Sequence, residues 1–206
     1  MVKNNAAAKA KPENLDRLLA EIRACRICAP YLPHGVRPII RASATARLCI
    51  CAQAPGLRVH ETGLSFNDPS GDRLRAWLEI DRDTFYDESR VAIVGMGFCF
   101  PGYTRTGADK PPRKECAPTW HARLFDAMPR FPLMLLVGTY AIAWHLGERG
   151  KSNMTETVKA WREYGPRLLP LPHPSWRNNA WLKKNPWFED ELLPDLRKRV
   201  RRALSS

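Results

Sequence analysis

Four short apolar runs separated by longer stretches of helical spacing constrain this chain more than any other feature. Arg47 to Gln53 (RLCICAQ), Val91 to Phe98 (VAIVGMGF), Leu133 to Val137 (LMLLV) and Arg167 to Leu171 (RLLPL) read as buried strands. A helix is predicted behind Pro69, with Leu74, Trp77 and Leu78 inward, Arg73 and Arg75 turned elsewhere, and Asp68 as its N-cap. Further helices are predicted over 13–24, over Ala117 to Met128 and from Tyr140. Strands alternating with helices imply an α/β fold: a three-layer α/β/α sandwich around a central, mostly parallel four-stranded sheet.

The 206 residues, 44% of them apolar, suffice for one sizeable core, so a single domain over 13–206 is expected behind a short mobile tail, residues 1–12. That tail carries cations but no apolar stretch and does not read as a secretory signal, which makes a cytoplasmic location the expectation. Phe131 to Leu146 is the most apolar run. It is too short for a membrane span and is interrupted by Gly138, Thr139 and His145, so it reads as a strand turning into a helix. Near the C-terminus a helix is predicted from Pro186, broken or restarted at Pro194, with Leu196, Val200 and Leu204 inward and the arginines between them solvated. A net charge of +12 points to a polyanionic partner, and a monomer is the default state.

The six cysteines fall into two kinds. Cys49 and Cys51 lie within a strand and read as small buried hydrophobes. Cys25 and Cys28 form C-x-x-C, and Cys99 and Cys116 stand seventeen apart across a Pro-, Gly- and cation-rich loop. These four look like a ligand set, and four thiolates suit either a [4Fe–4S] cluster or zinc. The loop holds Arg105, Lys110, Arg113 and Lys114 and is expected to contact a nucleic-acid backbone.

The run LLPLPHPSWRN carries a strand straight into His173-Pro174-Ser175, with Arg177 two residues on. Prolines on both sides of His173 fix φ and keep Leu171 and His173 extended. An imidazole and a hydroxyl therefore stand at the carboxyl end of a strand, where open α/β sheets place ligands.

Gln53-Ala54-Pro55-Gly56, the segment Gly63 to Gly71 (GLSFNDPSG), the paired cysteines and His173-Pro174-Ser175 occur in an order that resembles the iron–sulfur branch (families 4 and 5) of the uracil-DNA glycosylase superfamily. The resemblance covers roughly residues 15 to 200. It implies a DNA-repair enzyme that flips uracil out of DNA and hydrolyses its glycosidic bond with water, and four cysteines that hold a [4Fe–4S] cluster. Phe66 matches the uracil-stacking phenylalanine, and His173 the histidine that hydrogen-bonds the uracil oxygen as charge develops there. Asp68 matches the water-activating or cation-stabilising aspartate of one branch, with His60 and Glu61 as substitutes near the first motif. Gln53 matches a base-contacting position. Ser70, Ser175, Arg177 and Asn178 match DNA contacts, Arg177 at the place of a wedge residue, and Arg113 joins them from the basic loop.

Two departures stand out. Gly95 occupies the place of an asparagine that reads the uracil edge, so a broader range of deaminated bases, hypoxanthine among them, is an alternative. Trp176 stands where proline is common, giving the wedge loop a shape of its own. Two rivals keep parts of these features: a non-catalytic binder of DNA or abasic sites, and a zinc-containing nucleic-acid module with no base pocket.

Overall fold

In the computed structural model, which describes residues 13–205, the four apolar runs form one sheet in the order β2-β1-β3-β4. The strands are β1 Leu48–Ala52, β2 Val91–Gly95, β3 Leu133–Val137 and β4 Leu168–Leu171, and every pairing is parallel. Ile50 sits between Ile93 and Leu135, which fixes the register of β1 against its two neighbours, β2 and β3. All of β1 and β3 is buried, as expected when helices cover both faces.

Nine α-helices are found among the described residues: α1 Leu15–Arg23, α2 Leu57–Thr62, α3 Pro69–Leu78, α4 Arg82–Tyr86, α5 Cys116–Ala127, α6 Thr139–Leu146, α7 Met154–Lys159, α8 Asn179–Lys184 and α9 Leu193–Leu204. On one face α9 lies on β1 and β3 and packs against α3. On the other, α6 lies on β3 and β1, and α1 packs against α5. The strands, α3, α5, α6 and α9 thus answer to the sequence reading, and the expected tail lies outside the described residues. None of these helices is long and apolar enough to cross a membrane.

Three expectations need correction. Leu57–Thr62, where no helix is predicted from the sequence, is a helix that ends at Gly63 in the left-handed region (φ 71°). Arg75, expected to turn outward, is buried and bonds to the Phe66 carbonyl, the Tyr86 hydroxyl and Asp72. The C-terminal helix does restart near Pro194, but a π-turn over Phe188–Leu192 feeds it, where i→i+5 bonds absorb the missing proline N–H. Leu196 and Val200 face inward as expected, Ala203 joins them, and Leu204 is half-buried.

The strand order creates the site. The chain leaves β1 toward β2 on one side and returns to β3 on the other, so the carboxyl ends of β1 and β3 flank a crevice where the connections diverge.

Candidate active site

A cavity of about 410 Å³ opens at that crevice, walled by Gln53 to Gly56 after β1, Gly95 and Gly97 after β2, and His173 with Ser175 to Asn178 after β4. Phe66, Asp68 and Ser70, from the segment that enters α3, complete one side.

Phe66 is held in an unusual backbone state. Its φ of 55° is a conformation a bulky residue adopts only when its surroundings impose it. Those surroundings are visible. The Phe66 carbonyl accepts from Tyr86 Oη at 3.1 Å and from the Arg75 guanidinium at 3.4 Å. The Arg75 guanidinium is itself stacked over the Phe85 and Tyr86 rings. The Phe66 ring meets Phe85 edge-on, with centroids 6.1 Å apart. Gly71 completes the turn, since a Cβ there would lie 1.7 Å from the Phe66 oxygen.

Asp68 caps α3: one carboxylate oxygen accepts the Gly71 N–H at 2.9 Å, and Pro69 follows at the first helical position. The capping and site roles that the sequence offered as rivals therefore coexist in one side chain, because capping uses only one of the two oxygens.

His173 is oriented by its own loop. Its Nδ1 lies 3.2 Å from the Ser175 N–H and can only accept from it, so the neutral ring carries its proton on Nε2. Burial lowers the pKa of this imidazole below the ordinary histidine value, and the neighbouring Asp68 charge partly restores it. The Asn178 side chain donates to the His173 carbonyl at 2.6 Å, and Arg73 reaches from α3 to the Ser175 carbonyl at 3.1 Å. Gly138, at the end of β3 with φ 85°, leaves only van der Waals room beside His173.

Gly95 is not merely a missing side chain. A Cβ there would lie 2.5 Å from the Gly97 oxygen and 3.3 Å from the Gln53 oxygen. The chain folds back over its own strand end, with Met96 N–H bonded to Ala52 O and Gly97 N–H to Gln53 O. Main-chain atoms thus occupy the wall where an asparagine was the reference. His121 on α5 supports this turn from behind, donating Nε2–H to the Gly95 carbonyl at 3.0 Å.

A family model described as the uracil DNA glycosylase superfamily matches residues 41–197. The chain belongs to the uracil DNA glycosylase superfamily.

Within that family frame, Gln53, Phe66, Asp68, Ser70, Gly95, His173, Ser175, Arg177 and Asn178 all line the one cavity. His60 and Glu61 do not. They lie on α2, where His60 Nε2 contacts the His34 carbonyl and Arg37 bonds both of their main-chain carbonyls. Arg113 also stands elsewhere, in a two-pronged pair with Glu115 and over the Tyr31 ring. Sequence reasoning missed Asp109, which lines the cavity from the basic loop. The only signal was one acid among four cations.

Cys25, Cys28, Cys99 and Cys116 wall a second, small cavity between α1 and the start of α5, all four as free thiols. No group of His, Cys, Asp or Glu that could hold a metal ion is found among the described residues. The chemistry of the donors still suits a cationic centre. Burial first, and then the neighbouring cysteines, push the Cys99 thiol up to about 11 and Cys116 up to about 12, so four thiolates would gather here only around positive charge. Cys49 and Cys51 are fully buried in β1, as read from the sequence.

Proposed function

We propose that this protein is a monofunctional uracil-DNA glycosylase, which extrudes the base, breaks its bond to deoxyribose and leaves an abasic site. The observation that carries the reading is the convergence of Phe66, Asp68 and His173 on one cavity. Cleavage of the glycosidic bond builds positive charge on the sugar and negative charge on the departing base. Phe66 offers a fixed face on which the extruded base stacks. The neutral His173 presents an Nε2–H donor to the base oxygen, a contact that strengthens as that oxygen becomes anionic. Asp68, beside His173, supplies negative charge where the sugar becomes cationic. Ser70, Ser175, Arg177 and Asn178 ring the cavity and fit DNA phosphates, in keeping with the chain's excess of cations.

At Gly95 the cavity wall offers main chain in place of the asparagine amide that reads the uracil edge, which favours a second reading of the same site: excision that extends to hypoxanthine. Release of free base from oligonucleotides carrying uracil, hypoxanthine or no lesion tests both. Uracil release that collapses in His173→Ala and Asp68→Asn supports the assignment. Specific binding of damaged DNA with no base release would favour the non-catalytic alternative.

The four cysteines are read as the seat of a [4Fe–4S] cluster, with zinc as the alternative donor-compatible centre. Such a centre would supply a structural tie between α1 and the loop that follows β2. Iron, sulfide and zinc content of the purified protein, with its visible absorbance, separates the two.

A further inference from the structure

Asp109 stands in the cavity wall on a part of the chain that none of the glycosylase motifs includes. The basic loop is a small ordered hairpin there: Tyr103 and Asp109 pair across an antiparallel bridge, Thr104 N–H bonds Ala108 O at 2.7 Å, and Lys110 N–H bonds Gly102 O at 2.8 Å. Gly107, at φ 76°, makes the turn, and Gly102 and Phe100 anchor its base in the interior. The hairpin brings one carboxylate oxygen within 3.6 Å of where a Cβ on Gly56 would stand, directly over the first motif. Asp68 and Arg177 are its charged neighbours in the cavity.

The two acids differ in how they are held. Asp68 has an oxygen committed to the N-terminus of α3. Among the described residues, no hydrogen bond or salt bridge ties either oxygen of Asp109. Loss of part of its water shell raises the Asp109 pKa from its ordinary value; Arg177 opposes the rise and Asp68 adds to it. An acid in a cleft that receives a polyanion also works against binding, so its contribution has to lie in a later step.

We propose that Asp109 is the general base of this active site, taking the proton from the attacking water while Asp68 serves as the fixed charge beneath the sugar. The inference rests on the glycosylase reading and assigns its nucleophile. The C1′–N1 bond breaks with its electron pair leaving on the base, which His173 receives as an anion. The water oxygen then bonds C1′, and its proton passes to the Asp109 carboxylate, which later returns it to solvent or to the departed base.

Single-turnover uracil release is measured for the wild-type protein, Asp109→Asn and Asp109→Ala, alongside affinity for a duplex holding a cleavage-resistant 2′-fluorinated deoxyuridine. The expected result is a rate loss of about 10²–10⁴ in both variants, unchanged melting temperatures and binding that is equal or tighter. Added formate should restore part of the Asp109→Ala rate, because a small carboxylate can occupy the vacated space. A purely structural role for the hairpin would not give that rescue. Rates within about twofold of wild type, or a loss matched by weaker binding and not relieved by formate, overturn the assignment while leaving the glycosylase reading intact. If wild type itself releases no base, both readings fall together.

Discussion

The α-carbon of Gly71 is packed against the carbonyl of Phe66 so closely that a single methyl group would stand 1.7 Å from the oxygen. The contact couples the first turn of α3, which Asp68 caps, to the left-handed backbone that aims the Phe66 ring into the cavity. Gly71→Ala is therefore expected to push the Phe66 turn out of place. The cost is about 1–3 kcal/mol of stability, and base release should fall more steeply than DNA affinity. Thermal unfolding and single-turnover release measured on the same preparation check this.

His173 acts as a neutral donor in this site. Acid that protonates the ring ends its bond from the Ser175 N–H, so activity should fall as pH drops through a pKa displaced below the ordinary histidine value. At neutral pH, His173→Ala should lower the rate by about 10²–10³, the range for loss of one oxyanion donor. A pH–rate profile of the wild-type protein locates the acid limb. An acid limb centred above pH 6.5 would contradict the neutral-donor assignment.

Much of this site was legible in the sequence because its parts sit beside strong local signals. Gln53 and His173 each follow closely on an apolar strand, and Asp68-Pro69 announces a helix start on its own. What was not legible depends on contacts distant in the chain. Arg75 looks like a solvated helix cation until Tyr86 and the Phe66 carbonyl close around it. Asp109 looks like a solvated loop acid until its hairpin folds over Gly56. Gly95 reads as a lost side chain, yet the turn to Gly97 fills that volume with main chain. Composition and periodicity carry no information about such closures.

Stability should also depend on pH through a residue outside the cavity. His121 is buried under the Gly95 turn, its Nδ1 has no hydrogen-bond partner among the described residues, and burial holds its pKa at about 4 against 6.5 when free. Below about pH 6.5 the unfolded chain takes up a proton that the folded protein refuses until about pH 4, so stability is lost as pH falls through that window. The loss attributable to this group is about 3 kcal/mol at full extent. Denaturant unfolding at pH 7 and pH 4.5 should show a smaller difference for His121→Gln than for wild type.

Removal of the centre proposed for the four thiols should loosen one end of the molecule and leave the base pocket built. Cys99→Ser and Cys116→Ser are expected to lose the bound metal and its visible absorbance. A loss of about 2 kcal/mol would lower the melting temperature by roughly 4–8 °C for a chain of this size. Because α1 packs on α5 beside these cysteines, proteolysis should start near α1 in the depleted protein. Cleavage mapping by mass spectrometry of loaded and depleted samples distinguishes this from global unfolding.

Trp176 is 71% exposed at the cavity mouth, with the Arg177 guanidinium above its ring at 5.8 Å. A large aromatic surface left in water beside a base pocket is suited to stacking on a neighbouring base or filling the gap that extrusion leaves. Trp176→Ala should change unfolding free energy by no more than about 0.5 kcal/mol. It should weaken binding to a uracil-containing duplex by about 5- to 150-fold, the equivalent of one lost stacking contact of about 1–3 kcal/mol. Trp176→Phe retains a stacking face and should recover most of the affinity. Fluorescence of 2-aminopurine placed beside the uracil reports extrusion directly, and in Trp176→Ala its rise should be slower and smaller. An Ala variant that binds and extrudes like wild type would assign the wedge to Arg177 instead.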